Sequence, residues 1–240
     1  MWDVLCSAFF QRYVPPSGTV LEVGAGYCEF INSIKAGRKI AMDLNPDTRL
    51  HADPGVEIVL TSSTDLSVIA SGSIDVAFAS NFFEHLERAD ILGTMREVRR
   101  VLRADGRFLI LQPNYRYCYR DYWMFFDHLT PLDHHSLTEA LELSGLHVSH
   151  CVARFLPYTT KSRYPRSLSL MRAYLRLPIV WRFLGQQAFV VAEVAPQGGS
   201  QDALGADPRA ERGGRAAGDR DAAGGHPDSG GDSLRNPRRQ

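Results

Sequence analysis

Five short apolar runs dominate the first half of this chain: 19–23, 39–42, 56–60, 74–79 and 107–111. Apolar residues fill most of each run, where a strand with one wet face would alternate, so both faces are predicted to be covered. Between the runs the spacing turns helical. Trp2, Leu5, Phe9, Phe10 and Tyr13 mark an amphipathic helix over 2–13, closed by Val14-Pro15-Pro16-Ser17-Gly18. A second helix is predicted over 28–36 with Gly37 as its stop, and a third over 88–102, left through Ala104-Asp105-Gly106. Alternating strands and helices permit few topologies. Crossovers between parallel strands are right-handed, so the chain is expected to lay down a parallel sheet with helices on both faces.

Beyond Pro113 the pattern breaks. Tyr115, Tyr117, Tyr119, Tyr122, Trp123, Phe125 and Phe126 crowd a stretch that reads as a loop, either a substrate wall or extra core. Ser136-Leu137-Thr138-Glu139 has capping-box spacing and opens a helix to Ser144-Gly145. A sixth strand is predicted over 146–155 and a last one over 188–194, joined by a long connection, 157–185, with one helix over 167–177. There Arg166, Arg172, Arg176 and Arg182 interleave with Leu168, Leu170, Met171, Leu175 and Trp181. Such a face suits peripheral contact with an anionic membrane. A lid over a pocket or a dimer contact explains the same pattern and is the plainer expectation.

The last 45 residues, 196–240, hold 10 of the 20 glycines and no aromatic residue, Val, Ile, Met, Cys or Lys. They offer too little apolar surface to offset the entropy of ordering them. The domain is therefore expected to be 1–195. Residues 196–240 read as a disordered Gly/Ala/Arg/Asp-rich tail, native or the product of read-through. Lys and Arg total 27, as do Asp and Glu, so net charge is zero and no basic field draws nucleic acid. No apolar run reaches the roughly 18 residues of a membrane span. Met1-Trp2-Asp3-Val4 lacks the basic start of a signal peptide. Cys6, Cys28, Cys118 and Cys151 are scattered outside any metal-binding pattern and read as free thiols of a cytoplasmic protein.

Chemistry concentrates at the ends of the first strands. Gly24-Ala25-Gly26 follows the first strand and leads into a helix, a turn that lets backbone approach a ligand at a helix start. Any tight strand-to-helix turn looks similar. Cys28 and Glu29 stand where a dinucleotide fingerprint needs its third glycine. Glu22 lies inside the strand, and a buried carboxylate there needs a cation or hydrogen-bond donors. It suits a ligand carrying an ammonium and a sulfonium better than a pyrophosphate. Asp43, ending the second strand, can accept hydrogen bonds from both hydroxyls of a ribose, or serve the turn Asp43-Leu44-Asn45-Pro46.

With these features in place, the sequence resembles the class I methyltransferases that use S-adenosylmethionine. Val20-Leu21-Glu22-Val23-Gly24-Ala25-Gly26 is similar to their first motif, and Asp43 matches their ribose-binding acid. Residues 73–86, ending Ser80-Asn81-Phe82-Phe83-Glu84-His85-Leu86, resemble their fourth strand and Glu-His-Leu loop. Residues 97–107 resemble their helix-turn-strand segment. The resemblance implies a doubly wound, mostly parallel seven-stranded Rossmann-like sheet whose last strand is antiparallel. It implies S-adenosylmethionine held by Glu22, Gly24, Ala25, Gly26, Asp43 and Leu44. Adenine contacts would fall in 61–65, through Ser63 and Asp65, and the backbone at Ser80 and Asn81 would face the methionine part. Two departures stand out. Cys28 replaces a glycine and is expected to keep negative φ, and Ala104-Asp105 replaces Pro-Gly in a surface turn.

The implied reaction moves a methyl group to a small-molecule or saccharide acceptor, on oxygen first and on nitrogen or carbon as alternatives. A NAD-type oxidoreductase and a non-catalytic nucleoside-binding protein of the same fold are the rivals. An oxygen acceptor calls for a base, and His128 and His85 are the candidates; packing or capping explains His85 at least as well, and His128 slightly less well. Residues 122–132 resemble a segment of methyltransferases encoded near bacterial polysaccharide genes, and Asp127 is placed to orient His128. His134-His135 reads as a solvated start to the helix that follows. His85, Asp127, His128, His134 and His135 match no metal-ligand spacing, so no metal is expected.

Overall fold

The computed structural model describes residues 1–158 and 167–195. The expected tail lies outside them. The chain opens with α1 (Trp2–Ala8) and a 3-10 turn (Phe10–Tyr13). Then come β1 (Thr19–Val23), α2 (Glu29–Ser33), β2 (Arg38–Asp43) and β3 (Val56–Leu60). β4 (Ile74–Ser80), α3 (Arg88–Val101) and β5 (Leu102–Pro113) follow, then α4 (Tyr115–Tyr122), α5 (His134–Leu143) and β6 (Leu146–Val152). α6 (Leu168–Leu175), α7 (Pro178–Leu184) and β7 (Gln187–Val194) complete the described chain. The seven strands form one sheet in the order β3-β2-β1-β4-β5-β7-β6. β1 to β5 pair in parallel, and β7 runs antiparallel between β5 and β6. This is the doubly wound fold the sequence implied.

Two apolar layers cover the sheet. Ile91, Met95 and Val98 of α3 and Leu137 and Leu141 of α5 pack on one face. Val4 and Leu5 of α1, Phe30 and Ile31 of α2, Leu175 of α6 and Trp181 of α7 pack on the other. The strands are apolar on both faces because both are buried.

Several elements differ from expectation. The first helix breaks at Phe9, whose φ is −131°. Phe9 and Phe10 are both buried at this break. α2 stops at Ser33 because Ile34 goes extended and buries its side chain. The anticipated turn 104–106 lies within β5, between Leu102, paired with Ile74, and Arg107, paired with Val76; the register shifts there. The sixth strand ends at Val152, and Phe155 turns into the core, donating its N–H to the Gln187 carbonyl. Leu177 leaves helical geometry and Pro178 starts α7, so the long connection holds a second helix.

The largest correction concerns the aromatic run. Residues 115–122 form helix α4, with Cys118 and Tyr122, four apart, turned inward, while 123–126 stay in turns as expected. The cap of α5 also moves. Asp133 accepts the N–H groups of His135 and Ser136, and the Ser136 hydroxyl accepts the Asp133 N–H. The capping box is therefore Asp133 with Ser136, which places His134 and His135 inside the first helical turn. α6 and α7 rest on the α1 face rather than forming a lid; Tyr174 and Met171 join that layer.

Candidate active site

Parallel pairing brings the ends of β1, β2, β3, β4 and β5 to one edge of the sheet, the edge at which open α/β sheets hold ligands. The turn after β1 is pinned over β2, since Gly24 and Ala25 both donate to the Met42 carbonyl at 2.9 and 3.0 Å. Gly24 has φ +68°, and a Cβ on it would lie 2.2 Å from the Phe82 ring. Gly26 has φ +48° with open space where a Cβ would point. Cys28 has φ +57°, against the negative value expected. The backbone keeps the left-handed bend a glycine would supply, at a strain of about 1–2 kcal/mol, while the thiol is fully buried.

Glu22 is 5% exposed, and its Oε2 accepts the Ile31 N–H at 3.0 Å across the start of α2. Burial pushes its carboxyl up to about 8, against the pull of that N–H. Asp43 is held from two sides: Oδ2 accepts the Gly26 N–H at 2.7 Å and Oδ1 the Asn45 N–H at 2.8 Å. The capping role in the turn falls to Asn45, which accepts from Asp47. Leu44 is exposed beside Asp43. The Ser63 hydroxyl is buried in a bond with Thr94 of α3 at 2.7 Å, so only its backbone is free to meet a ligand. Asp65 is exposed and turns its carboxylate to the Ser67 N–H. Ser80 ends β4, and Asn81 bends away with φ +47° while donating its N–H to Leu111.

The loop after β4 meets the segment after α4. Leu129 and Thr130 donate N–H groups to the Glu84 carbonyl at 2.7 and 3.2 Å, and the Thr130 hydroxyl donates to the Leu86 carbonyl. This docking brings together three groups that sequence reasoning did not combine. Ligating atoms of Glu84, His85 and His128 lie within 4.8 Å of one another. Glu84 is 1% exposed, and its Oε2 accepts from Gln112 Nε2 at 2.9 Å. Burial raises its carboxyl well above the usual range. His128 is 7% exposed, stacked on Phe125 and tilted against Tyr122. Burial, then His85, lowers its tendency to protonate. Asp127 pairs with His85, not with His128: Nδ1 of His85 stands 3.2 Å from both the Asp127 carboxylate and its carbonyl. Side chains of adjacent residues diverge, which is why the anticipated Asp127–His128 pair does not form. His134 lies apart, on Asn114.

Glu84 was legible only as part of the Glu-His-Leu motif. An acid directly after a fully buried strand, beside a histidine, was the available signal. Beside α4 a groove of about 560 Å³ is lined by Tyr117, Arg154, Pro178, Trp181 and Arg182. Arg154 lies over the Tyr117 ring at 4.7 Å and donates to the carbonyls of Gly185 and Phe183.

Residues 21–110 match the methyltransferase domain family. Over that stretch the chain carries a methyltransferase domain of the kind that uses S-adenosylmethionine. The match favours methyl transfer over the oxidoreductase reading. No curated protein matches the chain. Among solved structures, it is similar to a putative methyltransferase bound to the Trm112 activator from Haloferax volcanii. There the TM-score is 0.61 and the identity 18%, over 81% of this chain and 90% of that one. A SAM-dependent methyltransferase from Archaeoglobus fulgidus gives 0.59 at 16%, over 80% and 94%. The geranyl diphosphate C-methyltransferase of Streptomyces coelicolor A3(2), solved with Mg2+, geranyl diphosphate and S-adenosyl-L-homocysteine, gives 0.53 at 13%, over 79% and 80%. At these identities the likeness is one of fold. Among the described residues, no helix of the methyltransferase is long and apolar enough to cross a membrane.

Proposed function

We propose that the methyltransferase acts on a hydroxyl oxygen of a saccharide or similar small polar acceptor. The observation that carries this reading is the gathering of Glu84, His85 and His128 beside Asn81, where a cofactor lying along β1 and β4 would present its methyl group. In this reading the Gly24–Gly26 backbone cradles the cofactor, with Glu22 behind it. Asp43 is already oriented by two N–H groups and keeps lone pairs for the ribose. Leu44 and the backbone of Ser63 to Asp65 flank the adenine. Ser80 and Asn81 face the methionine end.

Methyl transfer is a direct displacement at carbon, and the cofactor carries the reactivity. The protein aligns the acceptor and prepares its oxygen. His85 and His128 are the side chains placed to do so. Arg182, in the groove beside α4, is a candidate partner for a phosphate group on such an acceptor. The four cysteines are all free, which fits a reducing cytoplasm.

The test is turnover on a panel of sugar nucleotides and free sugars, read as S-adenosylhomocysteine formed. At least one member should be methylated on oxygen. His85→Asn and His128→Asn should each cut turnover about 100-fold while cofactor affinity is kept. Methylation of a nitrogen or carbon acceptor, or full turnover by both variants, would overturn the reading.

A further inference from the structure

We propose that Glu84, His85 and His128 form a binding site for one divalent transition-metal ion. The case begins with the atoms each residue leaves free. Nδ1 of His85 has two acceptors within 3.2 Å, the carboxylate and the carbonyl of Asp127. The ring proton therefore sits on Nδ1, and Nε2 keeps its lone pair. That lone pair stands 4.0 Å from Oε1 of Glu84. The other carboxylate oxygen, Oε2, is occupied by Gln112. Metal-bound histidines are held in this way, their second nitrogen donating to a carboxylate or carbonyl, and metal-bound carboxylates are likewise tied down by hydrogen bonds.

His128 completes the set. It is 7% exposed, and its Nδ1 is buried with no hydrogen-bond partner among the described residues. Its neighbours Tyr122 and Phe125 make that corner dry and aromatic. A buried polar atom without a partner is costly, and an ion bonded to it would remove that cost.

The geometry is close to what an ion needs. Ligand atoms about 2.1 Å from a tetrahedral ion lie about 3.4 Å apart. The separations here, 4.0 Å between His85 and Glu84 and at most 4.8 Å across the set, must shorten for all three to reach one ion. Two imidazoles and one carboxylate select zinc, cobalt, manganese or iron over magnesium and calcium, which favour oxygen ligands. Three protein ligands leave a position open, and His85, at 35% side-chain exposure, places it toward solvent and the acceptor side.

The use of the ion rests on the oxygen-acceptor reading above. An acceptor hydroxyl in the open position becomes more acidic. Its proton leaves to solvent, the oxygen forms a bond to the methyl carbon, and the carbon–sulfur bond breaks with its electron pair on sulfur. Binding of the ion itself does not depend on that reading.

The test uses the full chain without an affinity tag, stripped with a chelator and desalted. Cobalt(II) is titrated with detection of its visible absorption, and zinc and magnesium are titrated by calorimetry. One cobalt or zinc per chain should bind, and magnesium at least 100-fold more weakly. Glu84→Gln and His128→Gln should abolish the cobalt spectrum. Asp127→Asn, exposed and outside the core, should weaken binding about 10–100-fold. S-adenosylhomocysteine titrated into each variant checks folding and tests the cofactor half separately. Absence of stoichiometric binding by the wild type would overturn the proposal. So would unchanged affinity in Asp127→Asn together with either other variant.

Discussion

Gly24→Ala offers the sharpest test of how the turn over the cofactor edge is built. Two independent costs add. Alanine at φ +68° strains the backbone by about 1–2 kcal/mol. The new methyl would lie 2.2, 2.7 and 3.0 Å from three carbons of the Phe82 ring, and a core overpacked in this way loses about 1–3 kcal/mol more. The sum is about 2–5 kcal/mol. For a domain of this size each kcal/mol moves the melting temperature by about 2–4 °C, so a fall of about 4–20 °C is expected. Gly26→Ala is the internal control. Its φ is also positive, at +48°, but nothing lies within 4 Å of the new Cβ. It should lose only the backbone cost of about 1–2 kcal/mol. Differential scanning fluorimetry and urea unfolding measure both. Phe82→Leu in the Gly24→Ala background should recover part of the difference, because the two sites are in contact. Equal losses at Gly24 and Gly26 would refute the argument, since the Phe82 contact would then cost nothing.

Other outcomes follow from single observations. Cys28→Gly relieves a left-handed strain while losing a buried thiol, so its unfolding free energy in urea should stay within about 1 kcal/mol of wild type, whereas Cys28→Val should lose about 2 kcal/mol or more. Glu22 stays protonated in the fold up to about 8, while its unfolded carboxyl ionises near 4.5. Rising pH between those values favours the unfolded chain. Wild type should therefore lose stability relative to Glu22→Gln from pH 5 to pH 8, and parallel urea curves would show that the carboxyl is not held neutral. Asp43→Ala should weaken S-adenosylhomocysteine binding by about 1–3 kcal/mol in calorimetry, since ribose hydroxyls lose a charged acceptor. Deleting 196–240 should leave melting temperature and cofactor affinity nearly unchanged, because that segment carries almost no apolar surface.

The sheet was legible because its strands are buried on both faces, and continuous apolar runs between helices have few other uses. β3 shows the limit: its burial is only partial, yet Val56 to Leu60 still read as a strand from β-branched content. Local chemistry competed elsewhere. In α4 the tyrosines at alternate positions masked a helical period whose inward positions are Cys118 and Tyr122. At α5, Ser136 offered a capping box with Glu139 on paper, but Asp133 lies at the true helix boundary and takes both N–H groups. Cys28 hid a positive φ because only a measured dihedral reveals it. The site was half visible. Glu22, Gly24, Gly26 and Asp43 sit within one strand-turn-strand unit, where spacing in sequence translates into distance. His85, Asp127, His128 and Gln112 come from three separate segments, and which pairs with which depends on docking that no spacing encodes.

The stretch from Tyr115 to Leu132 leaves the sheet and returns to it at a single point, because the Tyr115 N–H donates to the Leu132 carbonyl 2.9 Å away. A segment whose ends already touch can be lengthened, shortened or exchanged at small entropic cost to whatever carries it. It meets the loop after β4 through main-chain groups of Glu84 and Leu86 and through the side chains of His85 and Glu84. A chimera cut at those two neighbouring attachment points should therefore leave the strands beneath in register, which circular dichroism and melting temperature would check.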